Sequence, residues 1–422
     1  RKQEVARAAN FLANKLNTIG VEHVQVIPTK RHPIVYGDHL HAGSGQPTIL
    51  IYGHYDVQPE DPLELWHTVP FKPVIINENL YARGASDMKG QVFACLASIE
   101  SIIKTSSLPI NVKFIFEGEE EIGSPNLVEF LNQYKDLLKS DCALNTDAGM
   151  TARDKPTITY GLRGLAYFEL RIYGPERDLH SGSYGGVVHN PAQVLVELIS
   201  KMHDENGHVT LPGFYDHVLP LSVDERASIA RYSISDEEYC KSVGVPALWG
   251  EKQFTATERI GARPTLEING ILSGFVGQGS KTIIPSKAMA KISTRLVPNQ
   301  KPELVYSQLL KFIEANIPAT VRFELEQLST GSPSISDTSI PETRAMADAL
   351  KTVWGIEPLY KREGGSVPVV ADMQEILKID SVLTGFGLPD DRVHSPNEKL
   401  DLPTWRKGTI ALIHFFNNLK RT

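Results

Sequence analysis

The segment PTILIYG (47–53) is almost continuously apolar, and it runs straight into His54-Tyr55-Asp56. A run of that kind has no polar face, which fits a strand buried on both sides in a central sheet. An imidazole and a carboxylate directly after such a strand stand at the carboxyl edge of the sheet, where open α/β sheets hold their ligands. The pattern recurs. The strand NVKFIF (111–116) leads into Glu117-Gly118-Glu119-Glu120-Glu121, and DCALNT (141–146) leads into Asp147-Ala148-Gly149. A strand and hairpin near 75–84 precede Ser86-Asp87-Met88-Lys89-Gly90, and SVLTGFG (381–387) precedes His394 in RVHSPNE.

Helical patterns alternate with these strands. Residues 1–18 carry an apolar stripe of Ala8, Phe11, Leu12 and Leu16, which reads as an amphipathic helix rather than a signal peptide. A short strand is expected at 21–28, a hairpin-like pair over 35–52 with HAGSGQ as its turn, and helices at 89–104 and 125–138. This alternation predicts a mostly parallel α/β sheet with helices on both faces. The pattern changes near 163. LAYFELRIY (165–173) alternates like a half-buried strand; a helix follows around Ala192–Ile199, then strands at 265–269, 287–295 and 320–328 and a helix at 301–315. That order fits a small α+β sandwich with an irregular, helical insertion at 207–260 whose chemistry is not legible. Helix–strand alternation resumes with 339–353, 381–387 and 403–420. The economical organisation is an α/β domain of 1–162 and 332–422, interrupted by a 163–331 domain. Three consecutive domains fit the pattern alone equally well.

Composition excludes several classes. The 422 residues carry a net charge of −7, which argues against nucleic acid or an anionic membrane as the main partner. No run of about 18 apolar residues is present to span a bilayer. Cys95, Cys142 and Cys240 are too few for a disulfide framework and fit a reducing, cytoplasmic setting.

Imidazole and carboxylate groups converging at strand ends can hold Zn²⁺, Mn²⁺ or a similar ion. Each group also has a plainer role open to it. His54 can be a satisfied polar histidine, Asp87 a helix N-cap, Glu119–Glu121 a solvated helix start, and Asp147 a turn residue. His394 alone says little. Their shared position at successive strand ends is what favours a metal site.

Seven segments in order, GHYDVQP (53–59), GASDMKG (84–90), EGEEEIGS (117–124), NTDAG (145–149), LHSGSYGG (179–186), REGGSVP (362–368) and VHSPNE (393–398), resemble the M20 family of metallopeptidases. The resemblance is to its dipeptidase branch, of the cytosolic non-specific dipeptidase and carnosinase type. It spans nearly the whole chain. It implies two divalent metal ions per subunit, Zn²⁺ first and Mn²⁺ second, bridged by Asp87. His54 and Asp147 would complete one ion, Glu121 and His394 the other. Three carboxylates and two neutral imidazoles set −3 against +4, near balance.

The resemblance further implies hydrolysis of dipeptides or short peptides by a water bridging the two ions, with Glu120 as general base. Counting back from Ile122-Gly123-Ser124 places the base at Glu120, with Glu119 as the alternative. Asp56 would hydrogen-bond the His54 imidazole without touching metal. His180 would stabilise the oxyanion, reaching the site of the other subunit of a homodimer. Arg295 would grip the substrate carboxylate, and Asn190, Gly364, Gly365 and Ser366 would line the substrate site. His189 is read as structural, and Arg362 has no assigned contact. An N-acyl-amino-acid deacylase of the same fold is the alternative activity. A non-catalytic binding protein on a degenerate scaffold is more remote, because it predicts a missing ligand or base.

Overall fold

A strand without a polar face must pair along both edges, and the one that ends at His54 does. The protein is described over residues 2–421 in a computed structural model. The chain divides into two units: residues up to 160, 336–361 and from 368 onward form the first, and 161–335 with 362–367 the second. The first begins with helix α1 (Lys2–Thr18) and strands β1 (Glu22–Ile27), β2 (Ile34–His39) and β3 (Thr48–His54). Then come β4 (Val74–Ile76), β5 (Asn79–Tyr81), helix α2 (Gln91–Thr105), β6 (Asn111–Glu117), helix α3 (Leu127–Gln133), β7 (Cys142–Asn145) and β8 (Thr157–Leu162). The sheet order is β1-β2-β6-β3-β7, then Asp380–Thr384, then β8. β6, β3, β7 and Asp380–Thr384 run parallel, and antiparallel neighbours flank them.

The hairpin expected over 35–52 does not form. β6 lies between β2 and β3, antiparallel to the first (Val35 opposite Phe116) and parallel to the second (Thr48 opposite Asn111). All seven residues of β6 are buried. A strand so apolar needs a neighbour on each edge, and that requirement overrides the local turn signal. Ile49 and Ile51 of β3 join one core with Leu12 and Leu16 of α1, Leu96 and Ile99 of α2, Met346 and Leu350 of Pro341–Trp354, and Leu412 and Phe415 of Leu402–Asn418. Leu50 and Tyr52, on the opposite face by strand alternation, are equally buried, so the sheet is covered on both sides. Each such side chain contributes roughly 1.5–3 kcal/mol when fully buried.

This topology aligns the carboxyl ends of the parallel strands. β3 ends at His54, β6 at Glu117, and β7 two residues before Asp147. Asp87 arrives by another route. β4 and β5 pair with each other and with Lys399–Asp401 in a separate three-stranded sheet. Asp87 then sits in the turn Ala85–Gly90 at the head of α2.

The second unit is a four-stranded antiparallel sheet, in the order Thr265–Ser273, Lys287–Leu296, Gly164–Tyr173, Arg322–Gly331. Ala166, Phe168, Leu170 and Ile172 alternate into a core with Leu195 and Leu198 of the helix Pro191–Ser200 and Leu309 and Ile313 of Pro302–Asn316. The 207–260 stretch forms three short helices, each opened by a reciprocal capping pair: Ser222 with Glu225, Ser235 with Glu238, and Thr255 with Glu258. Among the described residues no helix is long and apolar enough to cross a membrane.

Candidate metal centre

The five proposed metal ligands all belong to the first unit and form two overlapping groups, His54-Asp87-Asp147 and Asp87-Glu121-His394. Within each group one donor atom per residue lies within 4.8 Å of the others. Asp87 is common to both, and its two oxygens diverge. Oδ1 is 3.0 Å from His54 Nε2, and Oδ2 is 2.8 Å from His394 Nε2. Asp147 Oδ2 lies 3.8 Å from His54 Nε2, and Glu121 Oε2 lies 3.2 Å from His394 Nε2. Nitrogen and carboxylate donors in this mixture suit a borderline divalent cation.

The plainer roles open to Asp87 and Asp147 are filled by other residues. Neither Gly84 nor Gly90, the caps of the Asp87 turn and of α2, is replaced by an Asp87 side-chain cap. The turn after β7 is closed by Asn145, whose Oδ1 accepts the Asp147 N–H at 2.8 Å, which leaves the Asp147 carboxylate uncommitted. Gly84 is required where it stands. Its φ is +76°, and a Cβ there would lie 2.4 Å from Val57 Cγ1.

The run of glutamates after β6 sorts by direction. Glu119 is buried: its Oε1 accepts His32 N–H at 2.6 Å and Thr29 Oγ1–H at 3.1 Å, and its Oε2 accepts Asn126 Nδ2–H at 2.6 Å. Glu117 accepts Tyr52 O–H at 2.8 Å and Ser124 O–H at 2.9 Å. Both therefore brace the loop from within. Glu121 joins the Asp87–His394 group, and Gln58 Nε2–H donates to its Oε2 at 2.7 Å. Asp56 Oδ1 lies 3.3 Å from His54 Nδ1, and its Oδ2 accepts the Glu121 N–H at 3.0 Å. His54 Nδ1 also lies 3.2 Å from the Asp56 carbonyl oxygen. In the neutral ring these acceptors favour the proton on Nδ1, which turns Nε2 to the cluster as a lone pair.

The buried charges of the cluster shift one another. Burial pushes the Asp147 carboxyl up to about 8 and the Glu120 carboxyl up to about 7. Hydrogen bonds to Asp87 and Glu121 raise His394 to about 10. At His54, burial opposes the proton, but the bonds to Asp56 and Asp87 prevail and raise its pKa well above the ordinary imidazole value. Burial likewise opposes ionised Asp87, yet the bonds from His394 and His54 outweigh it and hold its carboxyl below the usual range.

The sequence signature described as Peptidase family M20/M25/M40 matches residues 50–418. This chain belongs to that family. It is 33% identical to the Cys-Gly metallodipeptidase DUG1 of Candida albicans over 98% of this chain and 90% of the relative. It is 34% identical to the human Beta-Ala-His dipeptidase over 98% of this chain and 85% of the relative. The solved structure of the M20 family metallo-carboxypeptidase Sso-CP2 from Sulfolobus solfataricus matches with a TM-score of 0.88 and 35% identity, covering 98% of this chain and 93% of that one. The family is an enzyme family, and the resemblance read from the seven motifs holds.

The remaining residues carried over from the M20 pattern lie in the second unit. His180 is exposed; its Nδ1 accepts the Gly182 N–H at 3.0 Å at the start of the helix Ser181–Tyr184. Asn190 caps the helix Pro191–Ser200, its Oδ1 accepting the Ala192 N–H at 2.9 Å. Arg295 Nη1–H donates to Ser366 Oγ at 2.9 Å. Gly364 packs against Ile260, where a Cβ would meet Ile260 Cγ2 at 2.7 Å. His189 bonds Thr320 at 2.8 Å, and Arg362 is buried against Glu225.

Sequence reasoning missed several partners of the residues carried over from the M20 pattern. Arg163 Nε–H donates to the Gly364 carbonyl at 3.0 Å and so shapes the loop that also holds Ser366. Gln58 and Glu398 lie inside motifs already singled out, GHYDVQP and VHSPNE, and only their contacts distinguish them.

Proposed function

We propose that this M20 chain is a metallodipeptidase that hydrolyses dipeptides or short peptides. One observation carries the reading: the two oxygens of Asp87 stand 3.0 and 2.8 Å from the Nε2 atoms of two different histidines, the arrangement a bridging carboxylate needs. Two divalent cations, Zn²⁺ first and Mn²⁺ second, would be held by His54, Asp87 and Asp147 and by Asp87, Glu121 and His394; when bound they supply Lewis-acid charge that activates water and polarises the scissile carbonyl.

The chain's own residues do the rest. Glu120 takes a proton from the attacking water as the C–O bond forms. It returns that proton to the peptide nitrogen as the C–N bond breaks, so the amine leaves neutral. Asp56 keeps the His54 tautomer and the Glu120–Glu121 backbone fixed during the exchange. With Nδ1 engaged by Gly182, neutral His180 carries its proton on Nε2, a donor suited to an oxyanion, and it serves the other subunit of a homodimer. Arg295, with Ser366 and the Gly364–Gly365 backbone, receives the substrate carboxylate, where a guanidinium pairs two oxygens at once. Asn190, whose Oδ1 caps the helix Pro191–Ser200, is assigned to the substrate site by the M20 resemblance. A cytoplasmic location belongs to the same reading and is supported by three free cysteines, two of them buried.

The test is a panel on protein stripped with chelator and reloaded with Zn²⁺ or Mn²⁺. Dipeptides, including Cys-Gly and β-Ala-His, should be cleaved only after reloading. N-acyl amino acids should be cleaved far more slowly. Preference for the acylated substrates would make the chain a deacylase, and no hydrolysis after reloading would end the reading.

A further inference from the structure

Glu398 sits four residues after His394 and is almost wholly buried. Its carboxylate gathers four donors from one short segment. Oε2 accepts Arg83 Nη1–H at 2.8 Å and Gly84 N–H at 2.7 Å, and Oε1 accepts Ser86 N–H at 2.9 Å and Asp87 N–H at 3.1 Å. Its carbonyl also accepts the Ala82 N–H at 3.2 Å. A carboxylate offers about four lone-pair sites, so this one is saturated, and every bond is made to the turn that presents Asp87. A second buried carboxylate reinforces the turn from the other side. Asp391 Oδ2 accepts Ser86 O–H at 2.9 Å, and its Oδ1 pairs with Lys399 Nζ at 3.0 Å.

Glu398 also terminates an unusual loop. Arg392, His394 and Asn397 have φ values of +54°, +60° and +66°, a region that residues with side chains seldom occupy. Such a backbone persists only when its surroundings fix it. Asn397 does so through its side chain, accepting His67 N–H at 2.7 Å and donating to Leu65 O at 2.8 Å. Glu398 does so through the five bonds above. One residue thus anchors both the loop of His394 and the turn of Asp87. His54 and Asp147, by contrast, stand at the ends of strands of the main sheet and depend on Glu398 only through Asp87.

We propose that Glu398 is a positioning residue for the metal pair, and that it governs the Asp87–Glu121–His394 group more than the His54–Asp87–Asp147 group. This rests on the dimetal reading above. In Glu398→Gln, the amide nitrogen faces donors at Gly84 and Arg83 or at Ser86 and Asp87, whichever way it turns. The turn and the loop then lose their common anchor. Glu398→Asp keeps the charge and withdraws it by one methylene.

The experiment titrates metal-free protein with Mn²⁺, and separately with Zn²⁺, and measures stoichiometry and the affinity of each site. Wild type should take two ions per chain and cleave a dipeptide. Glu398→Gln should keep one site near wild-type affinity and weaken the other by roughly 10- to 100-fold. Its kcat should fall at limiting metal and recover in excess metal, with KM little changed. Glu398→Asp should lie between the two, and it decides the question on the same readout if the glutamine variant does not fold. Wild-type affinity at both sites in the variants, or equal weakening of both, overturns the proposal. A wild type that binds no ion pair and cleaves no dipeptide overturns the dimetal reading instead.

Discussion

Asp56 and Glu121 are joined through the backbone: the Glu121 N–H donates to Asp56 Oδ2 at 3.0 Å, while Asp56 Oδ1 lies 3.3 Å from His54 Nδ1. One carboxylate therefore ties the end of β3 to the loop after β6. Asp56→Asn can accept only through one atom, and its NH₂ group opposes either an N–H or the imidazole proton. We expect kcat/KM to fall by about 10- to 100-fold, with weaker metal retention. Steady-state kinetics with metal analysis checks this; unchanged values for both would mean the contact is incidental.

Adjacent glutamates should separate cleanly. Glu120→Gln should lower kcat by roughly 10²- to 10⁴-fold with metal content unchanged. Glu119→Gln should act on stability, because Glu119 braces the loop against His32, Thr29 and Asn126. Weakening those charge-assisted bonds costs about 1–3 kcal/mol, read as a lower melting temperature with most activity kept. The reverse pattern would place the base at Glu119.

The pH dependence of metal-free protein has a definite sign. Asp147 is raised by burial to about 8 and Glu120 to about 7 in the folded state, from ordinary values near 3.8 and 4.5. A folded-state pKa above the unfolded one favours folding while the proton is bound. That stability is fully present below about pH 4 and is lost as pH rises through 7 and 8. His394, raised to about 10 from 6.5, extends the loss upward. Asp87, held low, acts the other way only in acid. Melting temperatures measured from pH 6 to 9 should fall without metal. Metal should stabilise more at the alkaline end, and its binding should release protons. A stabilisation by metal that shrinks with rising pH would contradict this.

The assignment of His180 across a dimer has a mixing test. His180→Ala and Glu120→Gln are each expected to be nearly inactive alone. Mixed and re-equilibrated one to one, half the dimers pair unlike chains, and one site in each carries both intact residues. Activity should then recover to about a quarter of wild type. No recovery in a mixture shown to exchange subunits would place His180 in its own chain's site.

The resemblance carried by seven ordered motifs named five candidate ligands and, counting back from Ile122, Glu120 as the candidate base, and the fold gathers those five ligands into two overlapping groups. The apolar runs at 47–53 and 111–116 likewise announced a buried sheet. Strand pairing was another matter. β6 inserted between β2 and β3 because a strand buried on both faces must be flanked, and the turn HAGSGQ could not say by what. Nor did the run Glu117 to Glu121 reveal which carboxylates point inward. Residue type and spacing are local properties and survive in one dimension. Which donors saturate Glu398, and which oxygen of Asp87 meets which histidine, depend on segments from 33 to 315 residues apart, and only tertiary packing brings those together.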